Sequence, residues 1–366
     1  MRNVMSWIKT LSINFVVLFV LIVFIEVMAG VLRMAIGKKY FFPNIFSSES
    51  YCTEMKTDVL LSHVHNHRSS CQIKGGFVDG EYIRYHVSDP TNPTILTIGG
   101  STTDGFFQHI SAGDTYPYYL ADFLAEDYQI MNGGVGGYSS LQELYKIIRD
   151  APRIDNLHTV ISLNGINETP DYHGYNKTRK IEYPFLTFEQ VQMNSQQTWI
   201  DQRQISYLPS LLPNLNSLII YIGRNAPVES EESSLTLSDP IVIDSAERWL
   251  INVTRTHDVL QGQGVRYYVF LQPTMGLEGP QSSPEKDSTD ERLFTLLTES
   301  YIEEIRILYS KLRRHCASLS YCFDISDQVP PTGNMYNDPR HHNSNGNRVL
   351  AQLIASILTA QDKVTP

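Results

Sequence analysis

Basic residues are scarce in this chain. Lysine and arginine together number 29 against 39 aspartates and glutamates, a formal net charge of −10, and no segment carries a basic stripe. A protein that tracks a phosphate backbone needs such a stripe, so nucleic acid is not expected as a partner. Cysteine is scarce as well. Only Cys52, Cys71, Cys316 and Cys322 occur, with no Cys-x-x-Cys knuckle among them. That spacing ranks a Cys₄ metal site well below two local disulfides, Cys52–Cys71 and Cys316–Cys322, formed in an oxidising compartment. No internal repeat is present. No lysine stands near the glycine- and serine-rich turn at 99–105, which a phosphate-cradling P-loop would require.

What is present begins with one long apolar run. From Leu11 to Leu32 the only interruptions are Ser12, Asn14, Glu26 and Gly30. That length suits a bilayer-spanning helix. A cleaved signal peptide is the main rival, because "VMAG" at 27–30 supplies a small residue at a plausible cleavage position. The apolar character resumes at Val31 and Leu32, which favours an uncleaved anchor. Arg2 and Lys9 on one side nearly balance Arg33, Lys38 and Lys39 on the other, so basic residues leave the orientation a near tie. The cysteines place the bulk of the chain outside the cytoplasm, on the periplasmic side of the inner membrane if the source is bacterial. Glu26 lies toward the C-terminal end of the span, where it can reach the interface, pair with Arg33 or meet another membrane helix.

The remainder is globular in composition, with 42% hydrophobic residues including 21 Tyr and 15 Phe. The expected organisation is a tail at 1–10, an anchor at 11–32, a membrane-proximal region at 33–90, and a domain at 91–366 with an insertion at about 170–240. In the membrane-proximal region His63, His65 and His67 alternate, which puts them on one face of a strand. That permits metal binding, but a solvated polar strand is commoner, and no metal is assigned. From Thr94 short apolar runs alternate with amphipathic stretches. Strands are expected at Thr94–Gly99, Tyr128–Asn132, Thr159–Leu163, Val265–Leu271 and Tyr321–Ile325. Helices are expected at Tyr116–Glu126, Ser139–Ala151, Asp244–Gln261, Arg292–Leu312 and Asn345–Thr359. Such alternation implies a parallel sheet with helices on both faces, whose ligands bind beyond the carboxyl ends of the strands.

Four polar stretches fall near those ends or close to the C-terminus. "IGGSTT" (98–103) follows the first strand, "NGGVGGYSS" (132–140) the second and "LNGINET" (163–169) the third, while "DPRHHNSNGN" (338–347) lies near the C-terminus. Each alone has a dull explanation as a turn or a helix N-cap. In this order they supply a serine, glycine amides, an asparagine amide, and a carboxylate three residues before a histidine. A nucleophile, oxyanion donors and an oriented general base need those groups.

Together the stretches resemble the SGNH (GDSL-like) hydrolase family, over roughly Thr94 to Ala360 with the insertion unmatched. The resemblance implies an α/β fold, a three-layer α/β/α domain with a central parallel sheet, here preceded by one transmembrane helix. It implies Ser101 as nucleophile, His341 as base and Asp338 as the carboxylate that orients it. The oxyanion would be held by the N–H groups of Ser101 and Gly137 and the side-chain amide of Asn167. Two positions depart from the family pattern: Gly100 replaces the aspartate that usually precedes the serine, and Glu168 replaces an aspartate. Of the adjacent histidines, the pattern makes His341 the base and His342 a wall or substrate contact.

The activity implied is hydrolysis of acyl esters, O-acetyl in the first instance, on a cell-envelope glycan or another small ester, without cofactor or metal. An O-acyltransferase using the same triad is the alternative, and a non-catalytic membrane-tethered binding or assembly protein the second. A membrane-protein partner is a further candidate. Asn-x-Ser/Thr sequons stand at Asn167, Asn176 and Asn252. A glycan on the first would block the oxyanion site.

Overall fold

The computed structural model describes residues 2–35, 53–58, 61–67, most of 73–105, 114–124, 127–169, 215, 240–277, 297 and 299–364. Nearly all of the insertion at 170–240 and of the polar loop at 276–291, together with Cys52, Cys71 and Asn176, lies outside the described residues. The chain divides into two compact units, one of Met1–Ser50 with Ile200–Glu232 and one of Tyr51–Trp199 with Ser233–Pro366.

In the first unit, helix α1 spans Arg2–Ala35. Val17 to Ile25 are all exposed apolar side chains, followed by Val27, Met28, Val31 and Leu32. Consecutive residues sample every face of a helix, so this one is apolar all round rather than amphipathic. Among the described residues no helix is long and apolar enough to cross a membrane. Glu26 is buried within this unit, and its carboxylate accepts the Leu215 N–H at 3.0 Å.

The second unit is built on a seven-stranded sheet. A separate antiparallel hairpin comes first in the chain, β1 (Thr53–Asp58) and β2 (Ser62–His67). The sheet strands are β3 (Gly76–Asp79), β4 (Tyr82–Tyr85), β5 (Thr94–Gly99), β6 (Gln129–Asn132), β7 (Leu157–Asn164), β8 (Arg266–Leu271) and β9 (Cys322–Asp324). Their order across the sheet is β3-β4-β6-β5-β7-β8-β9. From β6 to β9 every pairing is parallel, while β3 and β4 add an antiparallel edge. All residues of β5 and β6 are buried, as expected of central strands covered on both faces. The expected membrane-proximal region therefore supplies two strands of the main sheet. They carry no continuous apolar run, because β3 is the edge strand and β4 beside it fully buries only alternate residues, Ile83 and Tyr85.

Helices cover both faces. On one side α4 (Ser140–Asp150), α5 (Pro240–Gln261) and α6 (Glu299–Cys316) pack Ile147, Trp249, Val253, Leu308 and Leu312 against Leu96, Ile98, Val160 and Val269. On the other, α3 (Tyr116–Leu124) and α7 (Ser344–Val364) pack Leu120, Leu124, Leu350 and Ile354 against Ile95, Ile130, Ile161 and Phe270. The alternation Ile95–Leu96 along β5 sends successive side chains to opposite layers. The Cys316–Cys322 disulfide joins the end of α6 to β9. This is a mostly parallel α/β/α arrangement.

Candidate active site

Ser101 stands where β5 gives way to a single helical turn, α2 (Ser101–Asp104). The strand can stop on glycine here because Gly100 lies against Asn167. A Cβ added at Gly100 would meet Asn167 Nδ2 at 1.9 Å. Asn167 itself sits in a 3-10 turn directly after β7 (Ile166–Glu168), and its Nδ2 donates to the Tyr138 carbonyl at 2.7 Å. The serine turn, the β6–α4 loop and the β7 turn therefore converge at the carboxyl ends of three adjacent parallel strands.

His341 and Asp338 come from a small antiparallel ladder before α7, β10 (Tyr336–Asp338) with β11 (His341–His342), in which the two residues are partners. His341 Nε2 lies 2.7 Å from Ser101 Oγ, and His341 Nδ1 lies 2.6 Å from Asp338 Oδ2. With the carboxylate facing Nδ1, the ring proton belongs on Nδ1, so Nε2 accepts from the Ser101 hydroxyl. Asp338 Oδ1 accepts the N–H groups of Arg340 and His341 at 2.9 and 3.1 Å. Burial pushes the Asp338 carboxyl up, but the hydrogen bond and charge of His341 and those two amides outweigh it and hold the carboxyl below its ordinary range. It remains the anion that an oriented imidazole requires.

His342 points the other way, as adjacent strand residues must. It is 1% exposed, with its ring 4.5 Å from that of Tyr336, and neither ring nitrogen has a hydrogen-bond partner among the described residues. Burial lowers its pKa to about 3, with the neighbouring His341 adding to the effect. It is a neutral core residue, not the wall or substrate contact suggested by its place beside the base.

The donors can be found by accounting for each backbone amide in the loop after β6. Gly133 N–H bonds the Thr97 carbonyl, Gly134 the Asn132 side chain, Val135 the Gly99 carbonyl, Gly136 the Asp104 carboxylate and Tyr138 the Val135 carbonyl. The Gly137 N–H has no acceptor among the described residues, nor does that of Ser101. Gly137 adopts φ 83°, a left-handed conformation that favours glycine. A Ser hydroxyl bonded to an oriented imidazole, beside unused amides, can attack an acyl carbon while those amides hold the developing oxyanion.

Several supporting groups carry no family motif. Gln272, just past β8, donates from Nε2 to Thr102 Oγ1 at 2.9 Å and to the Arg340 carbonyl at 2.8 Å, tying the serine turn to the histidine segment. Thr274 Oγ1 donates to the Pro339 carbonyl at 2.8 Å, and Tyr309 OH to the Gln272 carbonyl at 2.8 Å. Gln272 stands at the carboxyl end of a core strand, but the backbone carbonyl it binds lies 68 residues away and carries no mark of its own. Glu168 Oε1 accepts the Ser140 N–H at 2.6 Å at the start of α4, where Ser139 and Gln142 form a capping box. Burial raises Glu168 to about 7 and the neighbouring buried Glu143 to about 8. Two of the sequons fall on buried side chains: Asn167, and Asn252, which donates to Ser140 Oγ at 3.1 Å.

A cavity of about 310 Å³ lies elsewhere, between the β3–β4 edge and the end of α4. Its charged walls satisfy one another, Arg84 with Asp79 and Arg149 with Glu81 and Asp150, so it reads as a structural ion network.

No protein-family model matches the sequence, and no curated protein matches it. Among solved structures the chain is similar to a carbohydrate acetylesterase from Sinorhizobium meliloti, at 13% identity over 74% of this chain and 100% of that one, with TM-score 0.39. It is similar to an acetyl xylan esterase at 12% identity over 72% and 98%, TM-score 0.38. A lipolytic protein of the G-D-S-L family from Veillonella parvula gives 12% identity over 73% and 98%, TM-score 0.37. Overlaps this loose assign no function; the side-chain geometry has to carry it.

Proposed function

We propose that the chain is a serine ester hydrolase of SGNH type, held at a membrane by α1, with its catalytic unit outside the cytoplasm. One observation carries the chemistry: Ser101 Oγ, His341 Nε2, His341 Nδ1 and Asp338 Oδ2 form a continuous relay with steps of 2.7 and 2.6 Å. In the reaction His341 removes the Ser101 proton as Oγ attacks the acyl carbon. The Gly137 and Ser101 amides and the Asn167 amide receive the oxyanion, each worth about 10²–10³ in rate. His341 then protonates the leaving alkoxide, and a water activated by the same imidazole releases the acid and restores Ser101.

The substrate class is O-acetyl or another short acyl ester on a cell-envelope glycan, as the resemblance of the four sequence stretches suggests. The anchor is supported by the exposed apolar side chains of α1 between Val17 and Leu32 and by the longer apolar run from Leu11 to Leu32. The test is hydrolysis of a short-chain nitrophenyl ester by the full chain in detergent. Turnover is expected, with a loss of roughly 10⁴-fold or more in Ser101→Ala at unchanged melting temperature. Undiminished turnover in that variant would remove Ser101 as nucleophile. Adding a glycan acceptor to the assay separates the O-acyltransferase, which would deposit the acyl group on the sugar.

A further inference from the structure

The relay leaves unused a histidine pair on the hairpin that precedes the sheet. His63 and His65 lie on one face of β2, which packs over the loop after β6 through a small core of Leu61, Val64, Val135 and Tyr138. His63 Nε2 lies 2.9 Å from the Gly136 carbonyl oxygen. That oxygen only accepts, so the imidazole donates.

The partner of this bond matters because the peptide group is planar and trans. The Gly136 C=O and the Gly137 N–H belong to one peptide unit and point in opposite directions. A donor that fixes the carbonyl therefore fixes the N–H as well. This is the single amide of the 133–138 loop with no acceptor among the described residues, the one assigned above to the oxyanion. A hydrogen bond to the carbonyl also polarises the amide and strengthens its N–H as a donor.

The preceding peptide unit is held by a buried carboxylate. Gly136 N–H donates to Asp104 Oδ2 at 2.9 Å, and His65 Nε2 approaches Asp104 Oδ1 at 2.8 Å without the alignment of a regular hydrogen bond. Asp104 is 1% exposed, and a buried carboxylate needs such a partner. Tyr138 OH closes the loop by donating to the His63 carbonyl at 2.5 Å. The glycines give this loop little stiffness of its own, since each has wide backbone freedom. Thr97, Gly99, Asn132 and Asp104 hold the N–H groups of Gly133 to Gly136, and the hairpin adds the bond to the one carbonyl that shares a peptide unit with the Gly137 N–H.

We propose that His63 is a positioning residue for ester hydrolysis, aiming the Gly137 N–H at the oxyanion through their shared peptide unit. This rests on the assignment of Ser101 and Gly137 above. His63→Phe keeps a ring against Tyr138, whose centroid is 5.5 Å away, and removes the donor. His63→Gln keeps an N–H donor, and His63→Ala is a second donor-less variant should the phenylalanine disturb folding.

Using the full chain in detergent, kcat is expected to fall about 10- to 100-fold in His63→Phe with KM within about twofold, less than the loss of a whole donor. His63→Gln is expected to recover most of that loss. Hydrogen exchange of the 133–138 amides is expected to quicken in His63→Phe and to return toward the natural rate in His63→Gln. A kcat in both donor-less variants within twofold of the natural protein, or equal losses in the phenylalanine and glutamine variants, would overturn the proposal. If the natural protein turns over no ester, the proposed function fails by itself. The exchange measurement then decides this one, and identical exchange with and without the His63 donor overturns it.

Discussion

Gly100 tests the oxyanion assignment through its packing against Asn167. Its φ is −82°, so the backbone there does not itself demand glycine. What demands it is the Asn167 amide, which an added Cβ would meet at 1.9 Å, with Asn167 Cγ at 3.1 Å and the Tyr138 carbonyl at 3.4 Å. Ordinary contact requires about 3.3 Å or more, so in Gly100→Ala the amide nitrogen has to retreat by about 1.4 Å, roughly half of a hydrogen-bond length. Its 2.7 Å bond to the Tyr138 carbonyl cannot survive that shift, and neither can a donor position set to tenths of an ångström. The expected cost in kcat is therefore that of a lost oxyanion donor, about 10²–10³-fold or ~3 kcal/mol, with KM nearly unchanged. Asn167→Ala should give a similar loss. Once Asn167 is truncated the added methyl has nothing to displace, so the double variant should be no more than about threefold worse than Asn167→Ala alone. Steady-state kinetics on the four proteins reads this directly. Multiplicative losses, or an unimpaired Gly100→Ala, would show that Asn167 does not act where the geometry puts it.

Two further predictions concern buried titrating groups. His342 stays neutral down to about pH 3 when folded, whereas the unfolded chain takes up a proton near 6.5, so His342 destabilises the fold as pH falls through that value. Replacing it with Phe, which stacks on Tyr336 without titrating, should raise stability by ~2 kcal/mol at pH 5 and much less at pH 8, and should leave turnover within about tenfold. His341→Ala should instead cost roughly 10⁴-fold or more in turnover. Thermal melts at both pH values and one kinetic series check this, and a reversed pair of activities would shift the base by one residue. Glu143 has its folded pKa raised to about 8 by burial, so its contribution to stability is full below the unfolded value near 4.5 and declines as pH rises toward 8. Glu143→Gln, which keeps an acceptor for the Asn164 amide 2.7 Å away, should flatten the melting temperature across that window by removing a dependence on the order of a few kcal/mol. A slope unchanged by the substitution would place the titration elsewhere.

What could be read from the sequence follows from where the physics is local. The strand at Thr94–Gly99 is found within those same bounds because a central parallel strand must be apolar on both faces, which writes an unbroken run into the chain. The strands at Gly76–Asp79 and Tyr82–Tyr85 leave no such mark, being short, only partly buried and set within a polar region. The same logic divides the site. Ser101, Asn167, Asp338 and His341 were visible because their neighbours are small and turn-forming, a local consequence of presenting a side chain at a strand end. His342 was misplaced because alternation on a two-residue strand cannot be seen without knowing that a strand is there. Gln272 and His63 were hidden for another reason: each acts through someone else's backbone, the Arg340 and Gly136 carbonyls, 68 and 73 residues away in sequence. A carbonyl is the same in every residue, so nothing in its own letter announces that it must be held. Such contacts are set by the sheet order, which places the ends of β5, β6 and β7 side by side and lets the β1–β2 hairpin lie over the second of them. The positioning shell is therefore a property of topology, and the alternating histidines of β2 acquire a role only once the loop beneath them is known.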